Sequence, residues 1–263
     1  MHVKRLVLLI NGNLGLEVLR YVISHKEAEI TGIIVNTSNK RSSTYLNLIK
    51  SVLLEHDQVV PVIPYEDMAS DYFEIKKLLR HSDFGISALF GHVLPQALLE
   101  DINCEIINLH PSLLPIGRGA DPIPWSIIDQ QKQGITLHII DSGLDTGKIL
   151  SQKEFTIGIG MNSGKVYDLA MELLLKELVR IFPSWIKRGI ELSDQADLLG
   201  SIHTSKELEK VRVIKSDDVG TFAEFLRKLQ ALTFSDGRKP LFIDESDRLW
   251  DINISIRPYG EKD

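Results

Sequence analysis

Through residues 1–110, short apolar runs alternate with stretches whose apolar positions recur at helical spacing. Leu6–Ile10, Ile30–Val35, Val59–Ile63, Phe84–Phe90 and Glu105–Leu109 read as strands. Their near-continuous apolar character fits strands buried on both faces of a parallel sheet. Between them, Leu14–Ser24, Tyr45–Glu55, Tyr72–Leu79 and a short piece from Pro95 to Leu99 read as helices. Such alternation implies βαβ units with right-handed crossovers, and ligands in these sheets sit beyond the carboxyl ends of the strands. Chemistry is therefore expected in the loops after Phe90 and Leu109.

After residue 110 the pattern changes. A Pro- and Gly-rich loop, Pro111–Pro124, leads into a helical stretch around Trp125–Asp129. Strand-like runs Ile135–Ile140 and Ile149–Ile157 flank the turn Asp141-Ser142-Gly143-Leu144-Asp145-Thr146-Gly147. Asn162-Ser163-Gly164 opens a long helix whose apolar positions Val166, Leu169, Ala170, Leu173, Leu174, Leu178 and Ile181 keep helical spacing. Pro183 is expected to interrupt that helix and Gly189 to end it. Residues 190–217 are polar. A helix over Thr221–Leu232 follows, then strand-like runs Pro240–Ile243 and Leu249–Ile256. The pattern predicts an α/β fold: a Rossmann-like, mainly parallel sheet with helices on both faces, plus a small C-terminal helix and β-hairpin. The expected division is a catalytic domain over 1–190 and a small region over 191–263.

The 263 residues are 43% apolar and 25% charged, enough for a core without disulfides or a structural metal. The formal net charge of −6 argues against a nucleic-acid partner, which calls for a basic face. A single cysteine, Cys104, cannot form an intrachain disulfide and suits a reducing compartment. The apolar run Leu6–Ile10 stops at Asn11-Gly12-Asn13, so it reads as a buried strand and not as a signal peptide. No run approaches the length of a membrane span. The expectation is a cytoplasmic protein without a membrane partner.

Asn11-Gly12-Asn13-Leu14-Gly15 follows a strand and opens a helix, where dinucleotide loops sit, but the third glycine of G-x-G-x-x-G is missing and Asn36 closes the second strand. It reads as a tight turn into a helix. Phosphate-loop, zinc-protease, paired-cysteine and nucleophile-elbow motifs are absent, and the histidines do not cluster at metal-ligand spacing. One segment stands out: Asn108-Leu109-His110-Pro111-Ser112-Leu113-Leu114-Pro115, then Arg118-Gly119, then the turn ending Asp145-Thr146-Gly147. Asn108 and His110 lie two apart at a strand end and so point to one face. A neutral amide donor beside an imidazole suits acyl transfer: the amide stabilises an oxyanion and the imidazole moves protons near neutral pH. Asp145 is placed to orient the imidazole and favour its charged form. His138, between apolar neighbours on a strand, reads as structural or as a support behind the reacting groups.

At these residues the chain resembles the folate-dependent formyltransferases, which share N-x-H-P-S-L-L-P and D-x-G-x-D-T-G. The resemblance implies catalytic Asn108, His110 and Asp145, with 10-formyltetrahydrofolate as co-substrate and no metal. It implies that the pterin lies between the Phe90-Gly91-His92-Val93-Leu94-Pro95 loop and the turn from Asp141, which makes Phe90, Gly91, Val93, Leu94, Asp141, Gly143 and Leu144 the folate-binding residues. Pro111, Ser112, Arg118 and Trp125 are the expected substrate-side residues, Trp125 either as a flat partner for a nucleotide base or as a ring packed beneath the loop.

Three branches of that family compete. The methionyl-tRNA enzymes carry a basic loop after the second strand and a further tRNA-gripping domain. Here the loop Asn36–Ser43 holds only Lys40 and Arg41, and the tail is close to charge balance. The glycinamide ribonucleotide enzymes share a pattern like Thr136-Leu137-His138 but are shorter, with a phosphate loop after strand one that is missing here. The sugar-nucleotide N-formyltransferases show a helix like Thr221–Thr233 followed by a hairpin, although Gln230 stands where Arg is usual. This last resemblance implies formylation of an amino-dideoxy sugar, with TDP-4-amino-4,6-dideoxyglucose the favoured acceptor. The product would serve bacterial O-antigen or lipopolysaccharide biosynthesis. It also implies a homodimer using the C-terminal region, where Phe222, Phe225, Leu226 and Leu229 recur at helical spacing. An inactive folate- or nucleotide-binding protein is the non-enzymatic alternative.

Overall fold

The computed structural model describes residues 3–38, 40–66, 68–195 and 201–256. Its elements run β1 (Lys4–Ile10), α1 (Gly12–Ser24), β2 (Ala28–Asn36), α2 (Lys40–Glu55), β3 (Val62–Tyr65), α3 (Met68–His81), β4 (Phe84–Ala88), α4 (Gln96–Leu99) and β5 (Glu105–His110). There follow β6 (Arg118–Gly119), α5 (Pro122–Ile128), β7 (Gln133–Ile139), β8 (Ile149–Phe155) and α6 (Ser163–Trp185). The last are β9 (Ile202–His203), α7 (Ser205–Val211), β10 (Val213–Lys215), α8 (Phe222–Ala231), β11 (Leu241–Ile243) and β12 (Leu249–Asp251).

Seven strands form one sheet in the order β3-β2-β1-β4-β5-β7-β8. The pairs β1–β2, β2–β3, β1–β4 and β4–β5 are parallel. Strand order runs outward from β1 in both directions, so right-handed crossovers send α1 and α2 to one face and α3 and α4 to the other. The side chains agree: Val7, Leu9, Ile34 and Ile106 share a core with Ile75, Leu79 and Leu98. In β1 the five residues Leu6–Ile10 are wholly buried, each stabilising the fold by about 1.5–3 kcal/mol. The order reverses between β1 and β4, which opens a crevice at their carboxyl ends.

Internal contacts divide the chain into two compact units that interleave along the sequence and do not part at residue 190. One comprises Met1–His110, Leu137–Ser151 and Glu172–Gln195; the other comprises Pro111–Thr136, Gln152–Met171 and Ala196–Asp263. Residues 196–200 and 257–263 of the expected C-terminal region lie outside the described residues, as do Asn39 and the side chains of Lys40 and Arg41 in the lightly basic loop.

In the first unit, α1 begins where the Asn11 side chain accepts from the Gly12 backbone N–H, while its amide donates 2.9 Å to the Asn36 carbonyl at the end of β2. Gly12 adopts a positive φ of 66°, and a Cβ there would meet Leu89 at 2.7 Å, so the expected tight turn needs glycine. Pro183 does not interrupt α6, which continues to Trp185. The Val179 carbonyl, which the missing Pro183 N–H leaves without its helical donor, accepts from the Tyr21 hydroxyl at 3.4 Å.

In the second unit, Trp125, Leu208 and Leu232 form a small core with Ile128, Val211 and Phe234. The expected hairpin is β11–β12, and it belongs to a three-stranded sheet because β10 adds in parallel to β11. α8 opens on a Thr221–Glu224 capping box. Gln230 is buried, and its amide donates to the Ile159 carbonyl.

Candidate active site

The site is assembled at the carboxyl ends of β4 and β5, where Asn108 lies in register with Ser87. Leu109 turns into the core and is 2% exposed, which sends Asn108 and His110 together to the opposite face. The adjacent strand β7 brings His138 to the same place. The Asn108 Nδ2 lies 3.3 Å from His138 Nε2. The His110 and His138 rings sit edge to face with centroids 6.0 Å apart. Asp145 completes the group, with one carboxylate oxygen 3.8 Å from His110 Nδ1 and the other 3.5 Å from His138 Nε2. Both histidines are buried.

The protons can be assigned from partners. His138 Nδ1 is 2.8 Å from the Ile139 carbonyl, which only accepts, so Nδ1 carries the hydrogen. In the neutral ring Nε2 then holds a lone pair and accepts from the Asn108 amide. The second N–H of that amide is left for a developing oxyanion. His138 thus orients Asn108, and the Asp145 carboxylate faces both imidazoles, 3.8 Å from His110 Nδ1 and 3.5 Å from His138 Nε2. Ligand atoms of His110, His138 and Asp145 lie within 4.8 Å of one another, a spacing a cation would also accept. A cation on Nε2 would displace the Asn108 bond, so the donor arrangement favours acid–base work.

The turn carrying Asp145 is built for a fixed shape. Asp141 Oδ1 accepts from the Gly143 N–H at 3.1 Å and from the Thr146 hydroxyl at 2.7 Å. Asp145 itself has a φ of 53°, in the left-handed region. A Cβ on Gly147 would fall 1.9 Å from the Ile139 carbonyl oxygen, so only glycine fits. From outside the turn, the Gln195 amide donates to the carbonyls of Asp145 and Gly147 at 2.8 and 2.9 Å.

The seven expected folate-binding residues divide in two. Phe90 and Leu94 point into the core, so only their backbone is on offer. The Asp141 carboxylate spends one oxygen on its own turn. Val93 and Leu144, 63% and 40% exposed, present apolar side chains outward, and Gly91 and Gly143 present backbone. Asn36 fixes the first wall by donating 2.8 Å to the Phe90 carbonyl. His92 is not an exposed loop residue: it meets the edges of Tyr65 and Phe90, and burial pushes its pKa below the ordinary histidine value.

The four expected substrate-side residues lie in the second unit. Thr136 holds the loop after Pro111, donating to the Ser112 carbonyl and accepting from the Leu114 N–H at 2.7 and 3.1 Å. The Ser112 hydroxyl is buried without a partner among the described residues. Arg118 lies in β6, which pairs with β9. Trp125 is 8% exposed and stacks on His203 with centroids 4.0 Å apart. One flat face is therefore occupied by an imidazole, and the ring sits in a core instead of offering itself to a base. The sequence reading missed Gln195, which falls in the polar stretch after α6.

A family model described as formyl transferase matches residues 7–181. The chain belongs to that family. It is 33% identical over 199 residues to a dTDP-4-amino-4,6-dideoxyglucose formyltransferase of Mycobacterium tuberculosis, covering 76% of this chain and 82% of that one. It is 35% identical over 167 residues to a methionyl-tRNA formyltransferase of Clostridium perfringens, covering 62% of this chain but 53% of the relative. The fold matches a 4-N formyltransferase structure from Francisella tularensis with a TM-score of 0.82, at 21% identity, over 98% of this chain and 100% of the other. The formyltransferase PseJ of Anoxybacillus kamchatkensis, solved with UDP-4,6-dideoxy-4-formamido-L-AltNAc and tetrahydrofolate, matches with a TM-score of 0.52 at 29% identity, over 68% of this chain and 88% of that one.

Proposed function

We propose that this formyltransferase moves the formyl group of 10-formyltetrahydrofolate to the amine of a nucleotide-linked amino-dideoxy sugar. TDP-4-amino-4,6-dideoxyglucose is the acceptor favoured by the Mycobacterium relative, of which the chain spans 82%. The observation that carries the chemistry is the Asn108–His138 and His110–Asp145 pairing at one strand end. The sugar amine attacks the formyl carbon. Negative charge gathers on the formyl oxygen, and the free N–H of Asn108 meets it. His110 takes a proton from the attacking nitrogen, becoming an imidazolium beside the Asp145 carboxylate, and returns it to N10 of the departing tetrahydrofolate. The C–N10 bond breaks and the new amide C–N bond remains. Val93, Leu144 and the backbone of Phe90, Gly91, Leu94 and Gly143 flank the pterin. Arg118 is the proposed partner of the diphosphate, with Pro111 and Ser112 shaping the same loop.

A tRNA acceptor is disfavoured by the near-neutral tail and by the 53% coverage of the tRNA-dependent relative. The proposed setting is cytoplasmic assembly of a bacterial surface polysaccharide such as O-antigen; among the described residues no helix is long and apolar enough to cross a membrane. A homodimer is proposed through the exposed apolar residues Phe222, Leu249 and Trp250. Phe225, Leu226 and Leu229 are partly buried within the second unit, leaving Phe222 as the outward residue of that helix. Sedimentation as a monomer at micromolar concentration overturns the dimer.

The deciding experiment is a panel of TDP- and GDP-linked 3-amino and 4-amino dideoxy sugars with methionyl-tRNA as a further acceptor. A TDP-linked 4-amino sugar should turn over fastest, and His110→Ala should lose at least about 100-fold in kcat. Faster formylation of methionyl-tRNA than of every sugar would sink the substrate assignment, and near-normal turnover by His110→Ala would sink the mechanism.

A further inference from the structure

Gln195 stands 50 residues after Asp145, on the segment that follows α6. That segment is brought back to the start of β8 by a reciprocal pair of backbone bonds. The Ile149 N–H donates to the Ser193 carbonyl at 2.8 Å, and the Ser193 N–H donates to the Ile149 carbonyl at 3.0 Å. Asp194 adds a surface contact to Lys148 at 3.4 Å. With residue 193 fixed beside residue 149, the side chain of residue 195 reaches the turn just before β8. Its amide nitrogen has two hydrogens and directs them to the carbonyls of Asp145 and Gly147.

We infer that Gln195 is a positioning residue for formyl transfer, acting through Asp145. Residue 145 is in the left-handed region, which an L-aspartate reaches less readily than the right-handed one. Rotating φ back would turn the Cα–Cβ bond, and with it the carboxylate, away from both imidazoles. Asp141 secures residues 143 and 146, and the Gly147 contact with Ile139 secures the far end of the turn. Gln195 grips the peptide carbonyl of Asp145 itself. A carboxylate 3.8 Å from His110 supports an imidazolium only while it stays there, and small misplacements of a catalytic group are costly in rate.

The inference rests on reading the Asn108, His110 and Asp145 group as the formyl-transfer site, and the test separates the two. The full chain is compared with Gln195→Met, which keeps length but donates nothing, with formyltetrahydrofolate and the best sugar acceptor of the panel. The expected result is a kcat lower by about 10- to 50-fold, with both KM values within about threefold and a melting temperature lower by no more than about 5 °C. The decisive readout is a cycle with Asp145→Asn. A residue acting through the Asp145 charge loses its effect once that charge is gone, so Gln195→Met should cost less than about threefold in the Asp145→Asn background. Should Gln195→Met fail to fold, Gln195→Glu takes its place; at pH 8 its carboxylate faces two carbonyls and donates to neither. A wild-type chain inert toward every amine overturns the reading of the site. An active wild type overturns the role of Gln195 if the variant keeps its kcat within twofold, if the loss falls on KM, or if the loss is undiminished in the Asp145→Asn background.

Discussion

Replacing Asp145 by Asn isolates its charge. The turn requires a left-handed residue at 145, with a φ of 53°, and asparagine tolerates that region better than most residues. Shape and backbone are therefore kept while one negative charge is removed. At the 3.8 Å separation from His110, a full charge pair is worth about 4 kcal/mol at an effective dielectric of ~20. Since about 1.4 kcal/mol is tenfold in rate, complete loss would slow formation of the imidazolium about 1,000-fold. The amide oxygen introduced by Asp145→Asn retains a dipole toward the ring and recovers part of this, so kcat should fall about 100- to 1,000-fold. The KM for formyltetrahydrofolate should hold, because the carboxylate supports the proton carrier and the proposed pterin contacts come from Val93, Leu144 and backbone. The assay is steady-state formyl transfer with circular dichroism melting on the same preparation, where the melting temperature should move by less than about 2 °C. A kcat within fivefold of wild type would refute the claim that Asp145 stabilises a charged His110. A large fall in melting temperature would instead assign the loss to the turn.

Other substitutions probe the surroundings. Gly147→Ala places a Cβ against the Ile139 carbonyl and should cost about 2–3 kcal/mol, read as a melting temperature lower by about 5–10 °C; an unchanged melt would show that the turn relaxes freely. Burial holds the His92 pKa below its ordinary value, so as pH falls below about 6.5 the unfolded chain takes up a proton that the folded chain refuses, and stability declines until the folded-state pKa is passed. His92→Phe should flatten that decline between pH 7 and 5 in urea midpoints, and an identical pH slope would contradict it. Asp83 is held below the usual carboxylate range chiefly by its hydrogen bond from Arg5. Its stabilisation is present above the unfolded pKa of about 3.9 and is lost as pH falls through the lower folded value. Asp83→Asn should thus cost about 0.5–1 kcal/mol at pH 7 and less below pH 4, and a gap that widens in acid would reverse the assignment.

The order of strands and helices through residue 110 is legible because burial on both sheet faces forces apolar runs and each crossover helix repeats its own period. Val59–Ile63 misplaced the third strand, which is Val62–Tyr65, because a four-residue strand leaves almost no pattern to register. β10 escaped for the same reason: Val213-Ile214-Lys215 sits in a polar window. Pro183 misled because the penalty for a missing N–H is local, whereas its remedy, the Tyr21 hydroxyl, comes from 158 residues away. Trp125 shows a further limit, since an indole suits a nucleotide base and a His203-covered core equally well until its neighbours are known.

At the site the division falls along chemical lines. Asn108, His110 and Asp145 are legible because an amide, an imidazole and a carboxylate suit the three tasks proposed for them, and the N-x-H and D-T-G motifs mark their positions. His138 was half legible, since an alternating strand fixes which face it shares with Thr136 but not that its lone pair holds Asn108. Gln195 was not legible at all. Its partners are the carbonyls of Asp145 and Gly147, and every residue has a carbonyl, so the bond leaves no trace in the partners' identities. A donor that aims at backbone can sit on any segment the fold returns to the turn. Supports of this kind become visible only once the chain has folded around the groups whose chemistry betrayed them.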